Sequence, residues 1–165
     1  MSKNLREFFD DPAIADADVL YRAVSPFLID DWDSFSGQDE DIPSRAWQDQ
    51  KEEEAAKWGL MPCASVAVAR ILRDHNCDIV SWLENFFSLE HGVVETTAGE
   101  VRQAISLRND HVPQGVMLHP TAKQPWHAVV WSKSGSKRNK TEMKALRLKS
   151  HWVRPPAQLR SRHPG

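Results

Sequence analysis

The chain has 165 residues, of which 41% are hydrophobic and 27% charged, with seven tryptophans; this is the composition of a globular domain and excludes collagen-like and disordered classes. Its longest apolar runs, residues 64–69 and 128–131, fall far short of the roughly 20 residues a bilayer span needs, and the first seven residues lead into no apolar signal region, so a cytoplasmic protein with no membrane partner is expected. The net charge of -2 conceals an asymmetry: residues 1–56 hold 15 acids and 5 bases, the remaining 109 hold 8 acids and 16 bases, which calls for pairing within the fold or with a partner.

In chain order, residues 1–18 read as an arm with at most a short helix over Leu5 to Ala17. Val19 to Val24, β-branched and aromatic, reads as a first strand. Asp30 to Asp41 is an acidic loop rich in turn formers, and Ile42 to Trp47 is expected to be extended because Pro43 pushes the preceding residue out of the helical region. Glu52 to Trp58 predicts a short charged helix closed by Gly59. Ala64 to His75 favours a helix, with a strand over Ser65 to Val68 as the alternative. Asp78 caps a helix whose Ile79, Leu83, Phe86 and Phe87 share one face.

Gly92 to Thr96 reads as a strand, followed by the capping-box form of Thr97-Ala98-Gly99-Glu100. Gly115 to Leu118 and Trp126 to Trp131 are further strands, joined by the loop His119 to Pro125. Ser132 to Lys140 reads as a basic linker, Thr141 to Ser150 as a helix, and Trp152-Val153 as an edge strand stopped by Pro155-Pro156. Residues 157–165 are a basic tail, expected to be disordered. These elements predict one α+β domain over 19–156, with a small mixed or antiparallel sheet and several short helices.

Several islands occur together: Leu20-Tyr21-Arg22, Pro43-Ser44-Arg45-Ala46-Trp47, Ala64-Ser65-Val66, Gly92-Val93-Val94, Pro125-Trp126-His127-Ala128, and Trp152-Val153-Arg154-Pro155-Pro156. In this respect the chain resembles a group of small bacterial proteins that carry the same islands in the same order. The resemblance spans Leu20 to Pro156 and implies a single domain in a bacterial cytosol, with no activity attached. The group has no requirement for a cysteine at position 63, and it commonly carries a glycine soon after the His-Ala strand, where this chain has Trp131-Ser132.

His127 is common to the catalytic readings. Cys63 before a helix, with His127 opening a strand, is similar to the papain-like cysteine hydrolases, whose imidazole stabilises a thiolate. Arg22 on the first strand with Ser44 downstream is similar to the early positions of the ADP-ribosyltransferase and toxin folds, in which an arginine fork holds dinucleotide phosphate and a serine orders the pocket; that chemistry asks for a glutamate, for which Glu95 and Glu100 are available. His119 and His127 flank one loop and can face one groove. Cys63, His75, Cys77 and His91 lack metal-ligand spacing, so neither a metal nor a cofactor is expected, and the two cysteines are expected to be free thiols.

The basic C-terminal region, through Lys144, Arg147, Lys149 and Trp152 together with His119 and Trp126, suits contact with an acidic protein more than with nucleic acid. Two functional classes follow. The first is an accessory or interaction module, of the kind found in toxin–antitoxin or defence loci. The second is an enzyme with a pocket around His127, either the Cys63/His127 hydrolase or the ADP-ribosyltransferase-like site.

Overall fold

The computed structural model describes residues 7–134 and 137–159. Runs of alternating β-branched and small apolar residues assemble one six-stranded antiparallel sheet: β1 (Val19–Val24), β2 (Ala64–Val68), β3 (Gly92–Thr97), β4 (Gln114–Leu118), β5 (His127–Ser132) and β6 (His151–Arg154), in the order β4-β5-β2-β1-β3-β6. One face, with Leu20, Val24, Val66, Val94, Val116 and Val130, packs under the short helix 44–47, α4 (Ala98–Arg102) and α5 (Lys140–Leu148). On the other face Ala67, Val93 and Trp126 lie under α2 (Ala69–Asp74) and α3 (Ile79–Phe86), and Met117 and Val129 lie near Ala55 of α1 (Glu52–Lys57). The result is the expected α+β domain, and among the described residues no helix is long and apolar enough to cross a membrane.

The helix expected from Ala64 to His75 begins only at Ala69. Residues 64–68 form β2, because Val66 and Val68 fill the core while the backbone is laddered to β5 over Ala64–Ala67; tertiary pairing overrides a local pattern that fits either state. Ile42 and Pro43 are extended as expected, but Ser44–Trp47 turns into a 3-10 helix that buries Ala46 and Trp47. The described part of the arm, from Glu7, contains no helix; it runs beside β4, where Asp11 N donates to the Val116 carbonyl and the Asp10 and Asp11 carboxylates accept from the Val116 and Leu118 amides. At the opposite edge the Trp152 amide donates to Asp39. Acidic side chains thus occupy amides at both sheet edges, positions that otherwise invite pairing with another chain. The tail expected to be disordered lies, from residue 160 on, outside the described residues.

The charge asymmetry is met in part within the chain. The ion pairs Arg70–Asp18, Arg102–Asp10, Arg102–Asp16, Lys133–Asp10, Arg138–Asp49 and His151–Asp39 each join an acid from the first 49 residues to a base from the rest. Most are exposed and contribute little each, but Arg138–Asp49 is not. Arg138, expected in a basic linker, is 4% exposed; it bonds the Asp49 carboxylate and reaches Gln114 Oε1 at 2.7 Å. Gln114 Nε2 in turn donates to Glu142 at 2.6 Å. This buried chain of polar groups ties β4 and α5 to the segment between the 44–47 helix and α1.

Removing one member of a buried ion pair leaves the other charged and unpaired, which costs about 3–5 kcal/mol. Asp49→Ala is therefore expected to lower unfolding stability by about 3 kcal/mol in urea titrations, and Asp49→Ala combined with Arg138→Met to recover most of the loss. A single-variant loss below about 1 kcal/mol would show that the pair does not hold this segment.

Candidate functional site

β1 and β3 are in register along all six residues of β1, whereas β1 and β2 are paired only at Leu20–Val68 and Tyr21–Ala67. Where that pairing ends, the Arg22 side chain enters. Its Nε donates to the Ala46 carbonyl at 2.8 Å, Nη1 to the Ser65 carbonyl at 2.8 Å, and Nη2 to the Gln48 carbonyl at 3.1 Å. Two of these acceptors lie at the C-terminal end of the 44–47 helix, whose last carbonyls need outside donors. The third belongs to β2, so one side chain replaces a rung of the sheet. The Trp47 ring lies 5.9 Å from the guanidinium carbon.

A cavity of about 260 Å3 opens at this point, bordered by Arg22 and Ala23 of β1, Ser65 and Val66 of β2, and His127 of β5. Gln50, Trp58 and Gln124 contribute from loops, and Trp82, Phe86 and Phe87 from α3 and its end. Desolvation brings the Arg22 pKa down to about 10, with the neighbouring Arg138 charge acting in the same direction and Asp49 opposing it, so Arg22 stays charged at neutral pH. Three of its five N–H groups serve backbone carbonyls, which leaves two for another acceptor.

His127 is 7% exposed and held on three sides. Its Nδ1 lies 2.9 Å from the His119 carbonyl and 3.2 Å from His119 Nδ1, and the Trp58 indole stacks on the ring at 5.6 Å and 27°. Burial lowers the His127 pKa to about 4, with the His119 carbonyl opposing the shift and the His119 ring adding to it. The ring is therefore neutral at pH 7, and donation from Nδ1–H to the carbonyl leaves Nε2 as the lone-pair nitrogen. Trp58 is presented by the turn that ends α1, in which Gly59 adopts φ +72°.

The structure brings together Arg22 and His127 and leaves the other expected residues elsewhere. Cys63 does not border the cavity; it is fully buried with Ala55, Leu60, Met117 and Val129, and burial pushes its thiol up to about 12, the nearby Asp49 charge adding to the shift. It precedes β2 by one residue, whereas His127 is opposite Ala67, a separation of about 13 Å along the strand. The Cys63/His127 hydrolase is thereby corrected: the dyad is not assembled, and the thiol is held in its unreactive form.

Ser44 borders a separate groove beside Leu28 and Arg147, and the serine on the cavity wall is Ser65, whose Oγ accepts from Gln50 Nε2 at 2.9 Å. Neither glutamate reaches the cavity. Glu95 is cross-strand from Tyr21 and His151, and Glu100 accepts from Thr96.

His119 packs against His127 and Trp58, so it supports the site from behind. Trp126 is buried beneath Phe86, in the core. Arg147 donates to the Ile42 and Glu40 carbonyls, and Trp152 Nε1 to the Gln38 carbonyl, so both fasten the acidic loop. Lys144 and Lys149 remain at the surface of α5 and its end. Ser65, Gln50, Trp58 and Trp82 were not expected in the site. Of these, only the Ala64-Ser65-Val66 island stood out in the sequence, and the helical reading of that segment hid its role.

Two measurements check this geometry. A histidine whose folded pKa lies below its unfolded value of 6.5 contributes stability above pH 6.5, and that contribution is lost as pH falls toward about 4. His127→Gln is expected to remove up to about 3 kcal/mol of pH-dependence in that window, read from urea midpoints at pH 4 to 7; an identical slope in both proteins would contradict the buried neutral ring. With iodoacetamide at pH 8, Cys77, which is partly exposed, is expected to alkylate in the native protein, and Cys63 only after unfolding. Rapid native labelling of Cys63, located by peptide mass spectrometry, would restore the hydrolase reading. Comparison with protein-family models, curated proteins and solved structures finds no match for this chain.

Proposed function

We propose that the chain is an enzyme acting on a phosphate-bearing nucleotide, which it binds through Arg22 while His127 serves as the proton acceptor; it departs from the ADP-ribosyltransferase pattern in having Ser65 in the place of Ser44 and no glutamate among the described residues on the cavity. The observation that carries this reading is the convergence, on one cavity, of a half-buried cation without a carboxylate bonded to it and a neutral imidazole. Such a cation favours an anion, because the carbonyls that it bonds replace part of its hydration but do not neutralise its charge. Asp49 does not serve, since its carboxylate is committed to Arg138. The aromatic wall of Trp58, Phe86 and Phe87 suits a planar ring beside the phosphate. At about 260 Å3 the cavity is slightly smaller than the usual ligand site of about 300–1,000 Å3, a size for one half of a dinucleotide.

On the transferase reading, the glycosidic C1′–N bond of a nicotinamide dinucleotide breaks, a C1′–O bond forms to an acceptor hydroxyl or water, and nicotinamide leaves neutral. The hydroxyl proton passes to His127 Nε2. A base whose pKa is near 4 takes that proton only once the C–O bond is well advanced. The charge-based case for an accessory module is weaker than the sequence suggested, because Asp10, Asp16, Asp18, Asp39 and Asp49 are paired with bases of the same chain.

ADP is expected to raise the melting temperature and to bind more tightly than adenosine, and Arg22→Met to weaken ADP at least tenfold in calorimetric titration. His127→Gln is expected to retain ADP binding while release of nicotinamide from the dinucleotide falls at least 100-fold. The wild-type pH–rate profile should show no histidine limb near 6.5. Absence of any thermal shift with millimolar ADP or dinucleotide would overturn the proposal.

A further inference from the structure

We infer that His119 is a positioning residue that relieves His127 of its charge: as His127 Nε2 accepts a proton from the substrate hydroxyl, the Nδ1 proton of His127 passes to His119 Nδ1. The inference rests on the base role proposed for His127 and adds the place where the charge comes to rest. The two rings belong to neighbouring strands, His127 opening β5 and His119 following β4. They meet Nδ1 to Nδ1 at 3.2 Å, with their planes inclined at 73°. This contact admits one proton, because two N–H groups aimed at each other repel.

At rest that proton sits on His127. The His119 carbonyl lies 2.9 Å from His127 Nδ1 and only accepts, so it holds the proton there. His119 Nδ1 is then the accepting nitrogen of the contact, and the neutral His119 ring carries its own proton on Nε2. A further proton on His127 Nε2 would make a buried imidazolium, the state that desolvation opposes. His119 is only partly buried, whereas His127 is 7% exposed, so the same charge costs less on His119. The Trp58 indole packs on both rings and fixes their mutual position. The shift of the His127 pKa comes from burial, the His119 carbonyl and the His119 ring, so the group His127 responds to is His119. Of the charged side chains on the surrounding elements, Asp11 of the arm accepts from the Leu118 amide at 3.2 Å, and Lys57 and Lys123 stand at the end of α1 and in the 119–125 loop.

The step balances without any redox change. The substrate O–H bond breaks as His127 Nε2–H forms, and His127 Nδ1–H breaks as His119 Nδ1–H forms. His127 ends neutral with its proton on Nε2, and His119 ends as the imidazolium. The His119 carbonyl then faces a lone pair in place of a donor. That contact opposes the forward shift and drives the return: once the products leave, both transfers reverse and His127 Nε2 gives its proton to water. A base that would accept a proton only late in the reaction thereby accepts it earlier, because the charge does not stay on the buried ring.

The test follows both rings by long-range proton–nitrogen NMR correlation in the histidine-labelled full chain. At pH 8 the His127 proton is expected on Nδ1 and the His119 proton on Nε2. On acidification to pH 4, His119 is expected to charge first, and over the same range the His127 proton moves to Nε2 while that ring stays neutral. In His119→Gln the His127 proton should stay on Nδ1 until the ring itself charges. In the dinucleotide assay, His119→Gln should keep ADP affinity within about twofold while nicotinamide release falls about tenfold. The curved dependence of the wild-type rate on deuterium content should become linear in that variant, a change that lost packing alone does not produce. A His127 ring that charges before His119, or that keeps its Nδ1 proton while His119 charges, overturns the inference; with ADP still bound, the nucleotide site stands. Wild-type spectra alone decide this if His119→Gln does not fold. The expected proton shift in a chain that binds neither ADP nor the dinucleotide overturns the nucleotide site, and the catalytic use of the pair with it.

Discussion

A guanidinium standing where two β-strands would otherwise pair governs this structure. Arg22 projects toward β2 at the point where the β1–β2 register ends, and the Ser65 carbonyl accepts from its side chain. The same group takes the Ala46 and Gln48 carbonyls, so one residue keeps two strands apart and anchors the segment that roofs the gap. Bonds from a charged donor to carbonyls are each worth roughly 1.5–3 kcal/mol, enough to offset much of the cost of burying the charge. The cavity follows from this substitution: a sheet closed along its full length would have no opening between its central strands.

The rest of the fold holds that opening in place. Gln50, whose amide meets Ser65, follows directly after Asp49, which the buried Arg138 fixes from the far end of the chain. Arg138 also bridges to Gln114 on β4, and Gln114 to Glu142 on α5, so the roof of the cleft is tied to elements on both sides of it. The smaller exposed pairs act differently. They set acidic side chains against the edge strands and close the chain's two oppositely charged parts onto each other, which contributes more to solubility and to blocking edge pairing than to stability.

The sequence showed most of the elements and few of the partners. Val19–Val24 was legible because β-branched and aromatic residues bounded by turn formers have one reading, and α3 because Asp78 caps a helix with one apolar face. The segment 64–68 was ambiguous, since a short apolar run fits a helix as well as a buried strand until its neighbours are known. That ambiguity concealed Ser65 and left Ser44 as the available serine. Arg138 was misplaced for a related reason: among lysines and a glycine, nothing local distinguishes a base that folds inward onto Asp49, 89 residues away in sequence. Pairings at such separation set the site, and no local pattern encodes them.

His127 shows how the same residue serves as scaffold and as site. The burial that makes it part of the core, under Trp58 and against His119, is also what lowers its pKa to about 4 and keeps Nε2 unprotonated at neutral pH. The His119 carbonyl works against that shift by favouring the protonated ring, yet it fixes the tautomer and aims the ring. Arg22 meets the opposite demand, remaining charged despite desolvation because carbonyl dipoles replace its water. A cleft that has a cation and a neutral base on its border can bind an anion at one and receive a proton at the other without the two neutralising each other, which an acid–base pair in direct contact could not do.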